Sequence, residues 1–149
     1  MLFNRKTGLR SYILVIVAIL ISFSVFVSCG SSPKEITANL GENVNIKIGQ
    51  SVSIAGEELK LKFVEVVADS RCPTGVTCIW QGEVTCLVEI TYRGSVFSKV
   101  LTQSGGEPAK SDFESYGIAF GIEPYPAAGK EIKDSDYRLQ VEVNKKPEL

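Results

Sequence analysis

The densest chemistry in the chain lies between Asp69 and Glu83, which read DSRCPTGVTCIWQGE. This stretch holds the only tryptophan, two of the four cysteines, and the charged residues Asp69, Arg71 and Glu83. A carboxylate two residues before an arginine suits a local ion pair, or acceptance of backbone N–H bonds from the turn that follows. Pro73 and Gly75, between Cys72 and Cys78, favour a tight reversal. In an oxidising compartment those cysteines are expected to form a disulfide. Closing so short a loop stabilises a fold by roughly 2 kcal/mol. Two roles follow for the block. As structure, Asp69 ends a strand, the clamp fixes the loop, Trp80 plugs the end of the core, and Gly82 allows a close turn. As function, Asp69, Arg71, Trp80 and Glu83 form a candidate binding surface, an aromatic set beside charge. The structural role leads.

Other chemistry is thin. The chain has no histidine, which removes Ser-His-Asp and Cys-His catalysis, His-containing zinc sites and the commonest general base. Cys72 and Cys78 do not make a C-x-x-C redox motif. Cys86 falls within an alternating strand and is expected to be a buried free thiol, without the basic partner a nucleophile needs. Glu57-Glu58 sits in a turn pattern and reads as a solvated face. Asp134 and Asp136 lack the glycine and distal glutamate of a calcium loop. Gly105-Gly106 opens no helix, so it is no phosphate cradle. Tyr116, Tyr125 and Tyr137 suit a sugar-stacking surface or, more simply, the edge of a core. No catalytic residue, metal ligand or cofactor is expected.

The run Asp69-Ser70-Arg71-Cys72-Pro73, a short spacer, and then Cys78, Trp80 and Gly82 resembles a signature of small, mostly uncharacterised bacterial secreted and lipoprotein β-domains. The flanks agree, with a hydrophobic strand running to Val67 and Pro124-Tyr125-Pro126 ahead of the last strand. The resemblance spans most of the chain beyond residue 29. It implies an exported β-domain and no particular activity.

Export is also what the N-terminus predicts. Arg5, Lys6 and Arg10 make a basic flank, residues 12–27 are apolar apart from Ser22 and Ser24, and Ser28-Cys29-Gly30 follows. That order is the layout of a secretory signal, and the basic flank stays in the cytoplasm. Phe26-Val27-Ser28-Cys29 resembles a bacterial lipobox, departing from it at Phe26, where leucine is usual. Residues 1–28 are therefore expected to be a lipoprotein signal peptide and Cys29 the lipidated residue, with multiple acyl chains for stable binding. An uncut transmembrane anchor is the alternative, since about 18 apolar residues is the lower limit for crossing. Release by an ordinary signal peptidase is a third. Residues 29–41 read as the modified cysteine and a short tether, and 42–149 as one domain.

The positioning elements follow from period-two alternation, the mark of half-buried strands. Val44, Ile46 and Ile48 alternate with polar residues, and so do Val52 and Ile54. Leu59, Leu61 and Phe63 alternate with lysines before the phase slips to Val64, Val66 and Ala68, which predicts a β-bulge near Phe63-Val64. Val84 to Tyr92, Val96 to Thr102, Tyr116 to Ile122 and Tyr137 to Val143 complete about seven strands. Residues 103–115 read as a polar loop. No helical period appears after residue 29. The expected fold is all-β and antiparallel, a β-sandwich or small barrel.

Residues 29–149 hold 13 basic and 17 acidic side chains, a formal −4. With no basic cluster after Arg10, nucleic acid is not an expected partner. The sequence thus predicts a non-catalytic β-domain, held at the extracytoplasmic face of a bacterial membrane and binding an envelope or protein partner. A small-molecule carrier or hydrolase-like enzyme, and a structural accessory domain, are the alternatives.

Overall fold

The computed structural model describes residues 35–147. The expected signal peptide at residues 1–28, Cys29 and residues 30–34 lie outside the described residues. Nine strands follow: β1 (Glu35–Ala38), β2 (Asn43–Lys47), β3 (Ser51–Ile54), β4 (Leu59–Asp69), β5 (Glu83–Tyr92), β6 (Ser95–Ser104), β7 (Ala109–Phe113), β8 (Tyr116–Glu123) and β9 (Arg138–Lys145). They form a five-stranded sheet in the order β1-β3-β4-β5-β6 and a four-stranded sheet in the order β2-β9-β8-β7. Neither sheet closes on itself, so the fold is a sandwich and not a barrel. Every pairing is antiparallel except β1 on β3, which is parallel.

The alternation seen in the sequence builds the core. Leu59, Leu61 and Phe63 of β4 and Val84, Cys86, Val88 and Ile90 of β5 are buried, together with Ile118, Phe120 and Ile122 of β8 and Leu139, Val141 and Val143 of β9. Each such side chain contributes about 1.5–3 kcal/mol on leaving water.

Two strands appear where none was expected. β1 lies inside the stretch 29–41 read as tether, so the sandwich begins by Glu35 and not at residue 42. Four residues are too few to show a period, and β1 is held by pairing with β3 and by burial of Ala38. β7 lies inside the supposed loop 103–115. It is an edge strand, paired only with β8, and its outward residues are polar enough to read as loop.

β4 carries the expected bulge and a second one. Phe63 faces Val88 and Glu65 faces Leu87, leaving Val64 extra; Val66 faces Cys86 and Ala68 faces Thr85, leaving Val67 extra and exposed. Of the three residues expected inside after the phase slip, only Val66 stands opposite a core position; Ala68 is exposed. The second bulge restores the phase, so Asp69 stands opposite inward-facing Val84. That end of the sandwich, where β4, β6 and β8 finish and β5 and β9 begin, carries the candidate site.

Candidate functional site

Beyond the last pair of β4 and β5, the two chains stay together. The Ser70 amide donates to the Glu83 carbonyl at 2.8 Å and the Cys72 amide to the Gln81 carbonyl at 2.9 Å. Gly82 makes this narrow extension possible. Its φ is +69°, and a Cβ there would stand 1.9 Å from the Ser70 carbonyl oxygen, so no larger residue fits without displacing the backbone. The expected disulfide joins Cys72 to Cys78 and closes the tip. One flank is tied down as well: the Thr74 amide donates to the Pro126 carbonyl at 2.9 Å, and the Ala128 amide to the Thr74 carbonyl at 3.0 Å.

Below the tip lies a buried ion pair. Arg71 Nη2 and Nε donate to the two Asp69 oxygens at 2.6 and 2.9 Å, and the Arg71 amide donates to Oδ1 at 3.2 Å. Arg71 also donates from Nη1 to the Ile122 carbonyl at 2.7 Å and from Nη2 to the Pro124 carbonyl at 2.9 Å. Its guanidinium carbon sits 5.1 Å from the centre of the Tyr125 ring, a cation–π contact. Tyr137 Oη donates to Asp69 Oδ2 at 3.1 Å. One arginine thus joins the end of β4 to the end of β8 and to the segment that follows it, and one tyrosine closes the link from the start of β9. Burial alone would raise the Asp69 carboxyl, but the Arg71 guanidinium and amide, with Tyr137, reverse this and hold it below its ordinary value. Burial, and then the Asp69 carboxylate, push the Tyr137 phenol up to about 12. Nearby, buried Gln103 accepts from the Ile122 amide at 2.7 Å and donates to the Glu107 carbonyl at 3.1 Å.

The four residues read as one surface are thereby separated. Asp69 and Arg71 meet, with only 10% and 0% of their side chains exposed. Glu83 is a half-buried strand residue whose backbone pairs with Ser70. Trp80 is 66% exposed and does not plug the core; the sandwich end is filled instead by the ion pair and Tyr137. Two further residues share the tip with the indole: Ile79, fully exposed, and Val76, about half exposed. Apolar residues within and just after the cysteine-bounded loop, with no strand period, were the available signal for them. Between Ser70 and Gly82 the only charged side chain is that of Arg71, which is buried. The tip therefore presents an uncharged, apolar surface on a rigid support.

Cys86 is the buried free thiol that the alternation predicted, its pKa pushed up to about 12 by burial. Tyr116 is buried and donates to Glu57 at 2.6 Å, and Glu57 also meets Lys145 at 2.6 Å. Shallow surface depressions of about 170, 180 and 340 Å³ are lined by residues of β2, β7, β8 and β9 and of the adjoining loops. Among the described residues no group of three or more His, Cys, Asp or Glu is placed to share a metal ion. No protein-family model, no curated protein and no solved structure matches the chain.

Proposed function

We propose that the chain is an exported envelope protein, anchored through a lipid on Cys29, whose sandwich is a non-catalytic binding module offering the Cys72–Cys78 loop to an envelope component. The observation that carries this reading is the exposure of Val76, Ile79 and Trp80 on one clamped loop. Exposed apolar side chains gathered on a rigid support suit a contact surface, and tryptophan is enriched where binding energy concentrates. A loop already fixed by a disulfide, Gly82 and the Arg71 ion pair has little conformational freedom left to lose on binding. The basic flank, apolar run and Ser28-Cys29-Gly30 of the N-terminus support the anchor. A carrier or hydrolase-like role asks for a deep pocket, whereas buried aliphatic and aromatic side chains pack the space between these sheets.

Intact mass of the mature protein tests the anchor. An N-terminal Cys29 carrying acyl chains is the expected result, and an intact Met1 terminus would overturn it. Capture of envelope components by wild type and by Ile79→Ala/Trp80→Ala tests the loop. Loss of capture in the variant is expected; equal capture by both would sink the assignment.

A further inference from the structure

We infer that the component met by the loop is the surface of the same bilayer that holds Cys29, with Val76, Ile79 and Trp80 seated at headgroup level. This rests on the anchored reading above and names the partner of that site. The side chains suit it. Indole prefers the membrane–water interface, where its ring is apolar and its N–H stays wet. The aliphatic neighbours add apolar area, and the tip carries no exposed charge to be desolvated.

The topology suits it further. Glu35 lies beside Ser51, and Ser51 beside Lys62, while β1 runs on toward Ala38, away from the loop. Glu35, the first residue of β1, is therefore the end of that strand nearer the loop. Lys62 faces Glu89, and the unbulged β5 climbs five residues from there to Val84, opposite Asp69, about 17 Å at strand rise. The paired extension to Cys72 and Gln81 adds three residues, about 10 Å more. From Cys29 to Glu35 the chain spans six residues, about 20 Å when fully extended. The loop stands at least as far from Glu35 as the leash can reach. With Cys29 at the membrane surface, an upright sandwich brings its tip into the headgroup layer, the depth at which interfacial apolar groups bind.

Trp80 is the only indole in the chain, so its fluorescence reports on the tip alone. The mature protein, carrying its own anchor, is reconstituted in phosphatidylethanolamine/phosphatidylglycerol vesicles with or without lipids brominated near the headgroup. Expected are a blue-shifted emission and roughly twofold or greater quenching by the shallow bromines. In Val76→Asp/Ile79→Asp the shift and quenching are lost while the protein still sediments with the vesicles and keeps its far-UV circular dichroism. Acylated, sedimenting wild-type protein with water-exposed, unquenched Trp80 would overturn the inference and point to a protein partner. A mature protein without acyl mass at Cys29 would speak against the anchor alone. The Cys29 thiol is then coupled to a maleimide lipid, which the buried Cys86 and the disulfide leave as the reactive position. Absence of quenching in that form equally rejects the bilayer contact.

Discussion

Arg71 grips the Asp69 carboxylate through two hydrogen bonds, Nη2 to Oδ2 at 2.6 Å and Nε to Oδ1 at 2.9 Å, in a site where the guanidinium has no solvent exposure. The pair sits where β4 gives way to the disulfide loop, and its remaining bonds reach the other sheet. It is the hinge-pin on which both the sandwich end and the loop's orientation depend.

Removing one partner leaves the other charge buried and unpaired. Asp69→Leu and Arg71→Met are each expected to cost about 3–5 kcal/mol in urea unfolding. Asp69→Leu/Arg71→Met is expected to lose less than the sum of its single variants, because an apolar replacement leaves no stranded charge. Additive losses would show that the two residues act independently.

The same pair sets an acid limit. Folding lowers the Asp69 pKa from its ordinary 3.8, so the folded chain binds this proton more weakly than the unfolded chain. Its stabilising contribution is complete above about pH 5 and is lost as pH falls through 3.8 toward the lower folded value. Urea midpoints measured from pH 7 to pH 2 should fall in that window, and Asp69→Asn should flatten the slope. An unchanged slope in the variant would assign the acid sensitivity to other carboxylates.

Gly82 and Gly56 both have positive φ, but a Cβ on Gly56 meets nothing within 4 Å, whereas one on Gly82 strikes the Ser70 backbone. Gly56→Ala should cost about 1–2 kcal/mol for the backbone conformation alone. Gly82→Ala should cost distinctly more and disturb the emission of Trp80. Equal thermal shifts in the two variants would contradict the close approach.

The cysteines should behave differently from one another. Breaking the Cys72–Cys78 bond is expected to cost roughly 2 kcal/mol. Cys86, with its thiol pushed up to about 12, should resist thiol reagents at pH 8 until the chain unfolds. Rapid labelling of Cys86 in the native protein would mean that β5 opens locally.

Trp80→Ala should change stability by less than about 0.5 kcal/mol, since the side chain lies outside the core. Acrylamide should quench the native indole readily in the absence of membrane. A large stability loss would return Trp80 to the role of core plug.

Much of the architecture was legible because its cause is local. Leu59, Leu61 and Phe63, or Leu139, Val141 and Val143, show their inward face in the bare spacing, and two cysteines around Pro73 and Gly75 show a clamp. What lay hidden depends on partners distant in the chain. Glu35–Ala38 is a strand only because β3 lies beside it, and the second bulge is visible only against β5. Asp69 and Arg71 could be paired by eye, but their burial comes from Ile122, Pro124, Tyr125 and Tyr137, 51 or more residues from Arg71. Trp80 was misplaced for the same reason. With those groups already filling the sandwich end, the indole has no vacancy to enter.

The parallel pairing of β1 has a mechanical consequence. Its four residue pairs, Glu35–Ser51 to Ala38–Ile54, stand side by side with both strands running the same way. A pull applied at Glu35 along the strand axis would load these pairs together in shear, whereas a pull across it would peel them in succession. A strand of four residues at the edge of a sheet is a poor contributor to folding, yet its geometry would let it carry a load directed along its own axis.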